Sequence, residues 1–189
     1  MLAHHIDLER YFARIGYRGS TAATSESLAE LHQSHVASIP FENIDVLLGR
    51  GVGLDLGQIE AKLVVAGRGG YCFEQNGLFA AALRQLGFRV TPLLARVRWQ
   101  ASAEVVTPKT HMILRVEADG RDWLADVGFG GVGLKRPIAL ETEAIQAEGQ
   151  EPRRLLAQGH SLLHQVKIDD RWEDAYVFSS TEAHPIDFE

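Results

Sequence analysis

Thr110-His111-Met112-Ile113-Leu114-Arg115-Val116 and Trp123-Leu124-Ala125-Asp126-Val127 are two strand-like runs flanking Asp119-Gly120. An Asp-Gly pair in that setting is a strong signal for a two-residue hairpin, because both central residues of a type I′ turn need positive φ. With Asp119-Gly120 as the loop, Ala118 faces Arg121. Counting outward then places Ile113 opposite Asp126 and His111 opposite Gly128. His111 and Asp126 share one face as diagonal neighbours, within reach of an imidazole–carboxylate hydrogen bond. A slip of one residue would send them to opposite faces. Taken singly, His111 also reads as a strand histidine with satisfied nitrogens, and Asp126 as a turn carboxylate ahead of Gly128.

Moving outward, Ser161 to Ile168 and Trp172 to Phe178 flank Asp169-Asp170 and predict a second hairpin. Phe88 to Thr91 and Leu93 to Trp99 have the same strand-like composition, whereas residues 100–109 and 140–158 are polar and poorly patterned. Before Gly87 the apolar period becomes helical. Leu8, Tyr11, Phe12 and Ile15 follow Asp7, a helix cap, and precede Gly16, a stop. Thr24-Ser25-Glu26-Ser27 caps a second helix through Leu28, Leu31, His32 and Val36, which must end before Pro40. His32 and His35 are expected on its surface. Ile39 to Gly53 reads as a loop, and a third helix runs from about Leu56 through Ile59, Leu63 and Val64 to Gly67. The expected fold is α+β, with a helical bundle over residues 1–87 and a small antiparallel β-barrel or sheet domain over 88–189.

The chain has one cysteine, in Gly67-Arg68-Gly69-Gly70-Tyr71-Cys72-Phe73-Glu74-Gln75-Asn76-Gly77. From Gln75, the apolar positions Leu78, Phe79, Ala82, Leu83 and Leu86 define a helix with one buried face, and Gly87 sits at its C-terminal cap. Cys72 therefore lies at or just before the first turn, where unpaired N–H groups and the positive end of the macrodipole favour a negative sulfur. The alternative is a small buried hydrophobe. Together, Cys72, His111 and Asp126 have the composition of a nucleophile triad: the thiolate attacks, the imidazole shuttles protons, and the carboxylate fixes the tautomer. The arrangement would be that of a cysteine protease.

Composition narrows the field. A chain of 189 residues, 46% apolar, can build a substantial core. A formal charge of −6 argues against phosphate-backbone binding, which needs clustered Lys and Arg. One cysteine forms no internal disulfide, no apolar run approaches a membrane span, and Met1 to Asp7 lacks the pattern of a signal peptide. A cytoplasmic protein with no nucleic-acid or membrane partner is the expectation. His4-His5 is a weak metal signal, and no ligand cluster or phosphate-binding glycine loop accompanies it.

The motifs resemble those of the arylamine N-acetyltransferase family. Arg68 to Asn76 is similar to its cysteine motif, Ile39-Pro40-Phe41-Glu42-Asn43-Ile44 to its upstream signature, His111 to its strand histidine, and Asp126-Val127-Gly128-Phe129-Gly130-Gly131 to its aspartate motif. The resemblance covers the chain from near Leu8 to Glu189. It implies a Cys72–His111–Asp126 triad that takes acetyl from acetyl-CoA and passes it to an arylamine or hydrazine nitrogen by a ping-pong route, without a metal. It also implies that Phe41, Phe129 and Gly130 bind substrate; the alternative for Phe41 and Phe129 is that they are plain core residues. Gly69 and Gly70 would make a tight turn near the thiol, and the Cys72 N–H would serve as an oxyanion donor. Glu42 and Arg68 would pair to clamp the loop to the Cys72 turn, or else remain two solvated charges. Tyr71 and Phe73 are expected to pack rather than bind.

Family members usually continue past a stretch like His184 to Glu189 into an interdomain helix and a third domain. The sequence stops there, as a truncated piece or a naturally short form would, and exposed apolar surface would favour self-association. Two other functions use the same residues. One is a Cys–His–Asp hydrolase of the thiol protease, amidase or thioesterase kind; the other is a catalytically silent fragment that binds CoA.

Overall fold

The computed structural model describes residues 5–102 and 104–188; His4, half of the His4-His5 pair, lies outside them. Helix α1 (Leu8–Ile15) begins where Asp7 Oδ1 accepts the Arg10 N–H (3.0 Å) and ends at Gly16, whose φ of 67° closes the last turn. Helix α2 (Ser25–Ser38) is capped by Thr24 Oγ1, which accepts the Ser27 N–H, and stops ahead of Pro40. A single turn, α3 (Ile44–Leu47), interrupts the expected loop. Helix α4 (Leu56–Glu60) starts on Asp55 and widens into a π turn at Ala61–Val65. Helix α5 (Cys72–Gln85) opens with the cysteine itself.

Seven strands follow: β1 (Arg89–Val97), β2 (Lys109–Ala118), β3 (Arg121–Ala125), β4 (Ile138–Ala139), β5 (Arg153–Gln158), β6 (Ser161–Ile168) and β7 (Arg171–Glu182). They form one antiparallel sheet in the order β4-β3-β2-β1-β7-β6-β5. Its two ends curl toward each other. Thr142 bridges Leu155, and Gln146 exchanges backbone hydrogen bonds of 2.8 Å with Arg153, so the barrel is nearly closed.

Both expected hairpins form with positive φ in the loop, at Asp119-Gly120 (51° and 72°) and at Asp169-Asp170 (45° and 66°). Strands β4 and β5 lie in the 138–158 region, most of which the sequence pattern leaves as loop. There the inward position is filled by Arg153, 1% exposed, whose guanidinium donates to the Val132 (2.7 Å) and Gly133 (2.9 Å) carbonyls. A charge facing inward, its two terminal nitrogens held by carbonyls about twenty residues away, conceals the alternation of the strand.

The sheet has apolar layers on both faces. Met112, Leu114, Val116 and Ala118 of β2 pack with Leu28, Leu31, Leu78, Phe79 and Leu83 of the helices, so the core crosses residue 87. Ile113 and Leu124 point the other way, into a barrel core with Leu93, Leu155, Tyr176 and Phe178. By the two-residue period, His111 and Asp126 share the barrel-facing side with Ile113 and Leu124. The sheet thus delivers the imidazole and carboxylate, and the helix packed on its other face delivers Cys72.

Candidate active site

The β2–β3 ladder runs in the expected register from Ala118↔Arg121 to Leu114↔Ala125 and stops one pair short of Asp126. Side chains take over from there. Asn76 Nδ2 donates to the Met112 carbonyl (2.8 Å) and to Asp126 Oδ1 (3.1 Å), while Asn76 Oδ1 accepts the Val127 N–H (3.1 Å). One side chain of α5 therefore ties together the two strands where their own pairing ends. Asp126 Oδ1 also accepts the Gly128 N–H (3.0 Å), and Oδ2 accepts His111 Nε2 at 2.8 Å. The His111 ring is held edge-on to Phe129 at 5.0 Å and tilted against Tyr176 at 5.3 Å.

Burial alone would lower the His111 pKa, but the Asp126 carboxylate and then the Cys72 sulfur raise it to about 10. Burial likewise opposes the charge on Asp126, yet the imidazolium and the donors from His111, Asn76 and Gly128 hold its pKa below the ordinary carboxylate value. Cys72 is the first residue of α5 and nearly buried; its sulfur interacts with His111 and lies 3.5 Å from the Thr110 carbonyl.

Gly128 allows these parts to meet. A Cβ built there would stand 2.7 Å from Cys72 Cα and 2.8 Å from Asn76 Nδ2. Gly128→Ala is expected to displace the start of α5, slowing iodoacetamide labelling of Cys72 about tenfold and lowering stability by about 1–3 kcal/mol. Labelling and urea-melt midpoints equal to those of the unaltered chain would contradict this.

The tight turn expected at Gly69-Gly70 is made instead at Gly67, with φ +67°. Gly69 serves close approach, since a Cβ there would lie 2.3 Å from the Pro40 carbonyl oxygen, and Gly70 bridges Phe41. Glu42 and Arg68 pair, and both belong to a larger charge cluster. Glu42 Oε2 accepts the Gly69 N–H (3.2 Å), Arg68 also reaches Asp45 (2.8 Å), and Lys62 Nζ joins Asp45 (3.0 Å) to Glu74 (2.7 Å). Glu74 in turn accepts the Tyr71 N–H (3.0 Å) at the start of α5. Lys62, Glu74 and Asp45 carry no sequence signal beyond ordinary helix charges.

A cavity of about 320 Å³ opens beside Cys72 and His111, walled by Phe41, Val46, Tyr71, Val97, Trp99 and Phe129. Phe41 and Phe129 both stand on its wall. Gly130 lines only an adjoining cavity of about 300 Å³, shared with the same two phenylalanines. Tyr71 packs on Phe73 with ring centroids 5.4 Å apart and also lines the cavity, and Trp99 joins it from the loop after β1.

His32 and His35 are the largest correction, because both rings are fully buried rather than on the surface. His35 Nε2 lies 2.7 Å from Gln75 Oε1 and its Nδ1 lies 2.8 Å from the Tyr11 hydroxyl, while Gln75 Nε2 donates to the Pro40 carbonyl at 2.9 Å. His32 Nε2 accepts the Asp126 N–H (3.2 Å), and its Nδ1 faces the Lys135 carbonyl (3.3 Å). Every ring nitrogen has a partner, so burial leaves none unsatisfied. Among the described residues no group of three or more His, Cys, Asp or Glu is placed to hold a metal ion, and no helix is long and apolar enough to cross a membrane.

A profile of the N-acetyltransferase family matches residues 24–189. The chain is 41% identical to the arylamine N-acetyltransferase of M. tuberculosis, whose three-dimensional structure is solved, with a TM-score of 0.93, covering 96% of this chain and 69% of that one. The chain belongs to the arylamine N-acetyltransferase family. It is also 44% identical to the arylamine N-acetyltransferase of Escherichia coli over 181 residues, which are 96% of this chain and 64% of that protein. The Mycobacterium marinum arylamine N-acetyltransferase solved in complex with CoA matches with a TM-score of 0.93 at 39% identity, over 96% of this chain and 68% of that one. The chain thus spans about two thirds of the length of these arylamine N-acetyltransferases.

Proposed function

We propose that Cys72, His111 and Asp126 form a cysteine-protease-like triad that transfers an acetyl group from acetyl-CoA to an arylamine or hydrazine nitrogen. The observation that carries this reading is the 2.8 Å His111–Asp126 hydrogen bond beside the helix start that presents the chain's single cysteine. Asp126 holds Nε2, which leaves Nδ1 for the sulfur. The Cys72 thiolate adds to the thioester carbonyl of acetyl-CoA, and the tetrahedral oxyanion is met by the Cys72 N–H, one of the first-turn donors that helix geometry leaves unpaired. The intermediate collapses with loss of the CoA thiolate, which takes the His111 proton and leaves acetyl-Cys72. In the second half the amine nitrogen attacks this thioester, His111 takes its proton, and the Cys72 thiolate departs.

The aromatic walls of the cavity suit a flat ring, with Phe41 and Phe129 as its contacts and Gly130 shaping the adjoining space. The CoA complex of the M. marinum relative supports the choice of donor. In this reading the Glu42–Arg68 pair clamps the Phe41 loop to the Cys72 turn.

Intact mass spectrometry tests the proposal. Acetyl-CoA is expected to add the mass of one acetyl group to the chain, an aromatic amine or hydrazine to remove it, and Cys72→Ala to abolish the adduct. An unmodified mass after prolonged incubation would overturn the reading for this chain, and peptide turnover without acetyl-CoA would favour a hydrolase.

A further inference from the structure

His32 lies on α2, outside the cavity that holds Cys72, yet it bonds directly to the backbone of Asp126. The polarity of its two partners determines its protonation state. A carbonyl only accepts, so the Lys135 contact requires a proton on Nδ1; an N–H only donates, so the Asp126 contact requires Nε2 to be bare. His32 is therefore the neutral Nδ1–H tautomer. Burial, opposed by the Asp126 charge, holds its pKa down to about 4, with Arg136 the other charged group acting on it and His35 beside it on α2.

Its position coincides with a gap in the sheet. The β2–β3 ladder ends at Leu114↔Ala125, so the Asp126 N–H, deeply buried, takes its acceptor from His32. The ring itself is braced edge-on against Phe79 at 5.7 Å. Asp126 is thus held at three points, with His32 on its N–H, Asn76 and Gly128 on Oδ1, and His111 on Oδ2. Resting on the triad reading above, we propose that His32 is a positioning residue: it anchors the Asp126 backbone so that Oδ2 meets His111 Nε2, and it touches neither the thiol nor a substrate.

Three variants separate its contacts. His32→Gln places an amide oxygen near the Nε2 position and can accept the Asp126 N–H. His32→Asn places its polar atoms near Nδ1 and keeps only the Lys135 contact. His32→Leu removes both. The pH profile of iodoacetamide labelling at Cys72, measured without acetyl-CoA, reads the thiolate–imidazolium pair rather than folding. His32→Gln is expected to keep the profile of the unaltered chain, whereas Asn and Leu shift it by about one pH unit and slow labelling at neutral pH about tenfold. Folded Asn or Leu variants with an unshifted profile, or a Gln variant no better than Asn, would overturn the proposal.

If Leu does not fold, the Gln–Asn comparison still decides. Imidazole ¹⁵N shifts of the unaltered chain provide a separate check: His32 protonated at Nδ1 is expected, and protonation at Nε2 would overturn the assignment whether or not any variant folds. A chain that labels normally but accepts no acetyl group would defeat the acetyl-transfer reading and leave the role of His32 standing.

Discussion

Asp126→Asn is expected to slow acetylation of Cys72 by roughly 10³–10⁴-fold while leaving the protein folded. The magnitude follows from which atoms surround the carboxylate. Oδ1 accepts from Asn76 Nδ2 and from the Gly128 N–H, so an amide at this position must turn its oxygen toward those two donors. Its NH₂ then takes the place of Oδ2, facing His111 Nε2. Nε2 must become the acceptor, and the ring proton moves to Nδ1, where it points at the sulfur. A neutral imidazole in that tautomer cannot withdraw a proton from Cys72 or from the incoming amine. The acetyl adduct formed per unit time, read by intact mass, checks the prediction, and a loss smaller than tenfold would show that Asp126 does not set the tautomer.

Acid is expected to unfold the protein well before its carboxylates titrate, because three fully buried histidines are neutral. Burial, the dominant cause in each, holds His32 to about 4 and His35 and His164 to about 3. In the unfolded chain such rings bind protons near pH 6.5. Between that value and about 4 the unfolded state holds about three more protons than the native state, so stability falls as pH falls, by about 4 kcal/mol per unit. His111 behaves oppositely: its pKa is raised to about 10, so its contribution is complete below pH 6.5 and is lost as pH rises through 10. Stability should therefore peak near neutral pH and decline on both sides. Urea midpoints followed by circular dichroism from pH 7 to about 5 test the acid limb, and a flat response there would contradict it. His164 offers a sharper control, since neither ring nitrogen has a hydrogen-bond partner. Replacing it by leucine should remove about a third of the acid slope.

The readable parts of the sequence were those whose cause is local. Asp119-Gly120 and Asp169-Asp170 are hairpin loops because few residue pairs accept two successive positive φ angles, and that preference belongs to the pair itself. The register of the first hairpin follows from its loop, which is why His111 and Asp126 could be placed on one face by counting. The start of α5 at Cys72 and the caps at Asp7 and Thr24 are similarly local. Strand β5 was hidden because its inward Arg153 has its terminal nitrogens held by carbonyls from the loop after β3. The expectation that His32 and His35 face solvent failed for the same reason: polarity predicts exposure only when no partner is available inside. For these rings the partners are Asp126, Lys135, Gln75 and Tyr11, all distant in sequence except through the fold.

By itself, then, the sequence determined the helical and strand halves, the hairpin that aligns a histidine with an aspartate, and the cysteine at a helix start. These follow from backbone preference and from the two-residue and 3.6-residue periods. Only the tertiary structure decided how the pieces are held: Asn76 joining the strands beyond their ladder, Gly128 admitting Cys72, the Lys62–Glu74–Asp45 cluster, and His32 behind Asp126. Each is a contact between polar atoms far apart in the chain, and its strength depends on burial and distance, neither of which exists until the core has formed.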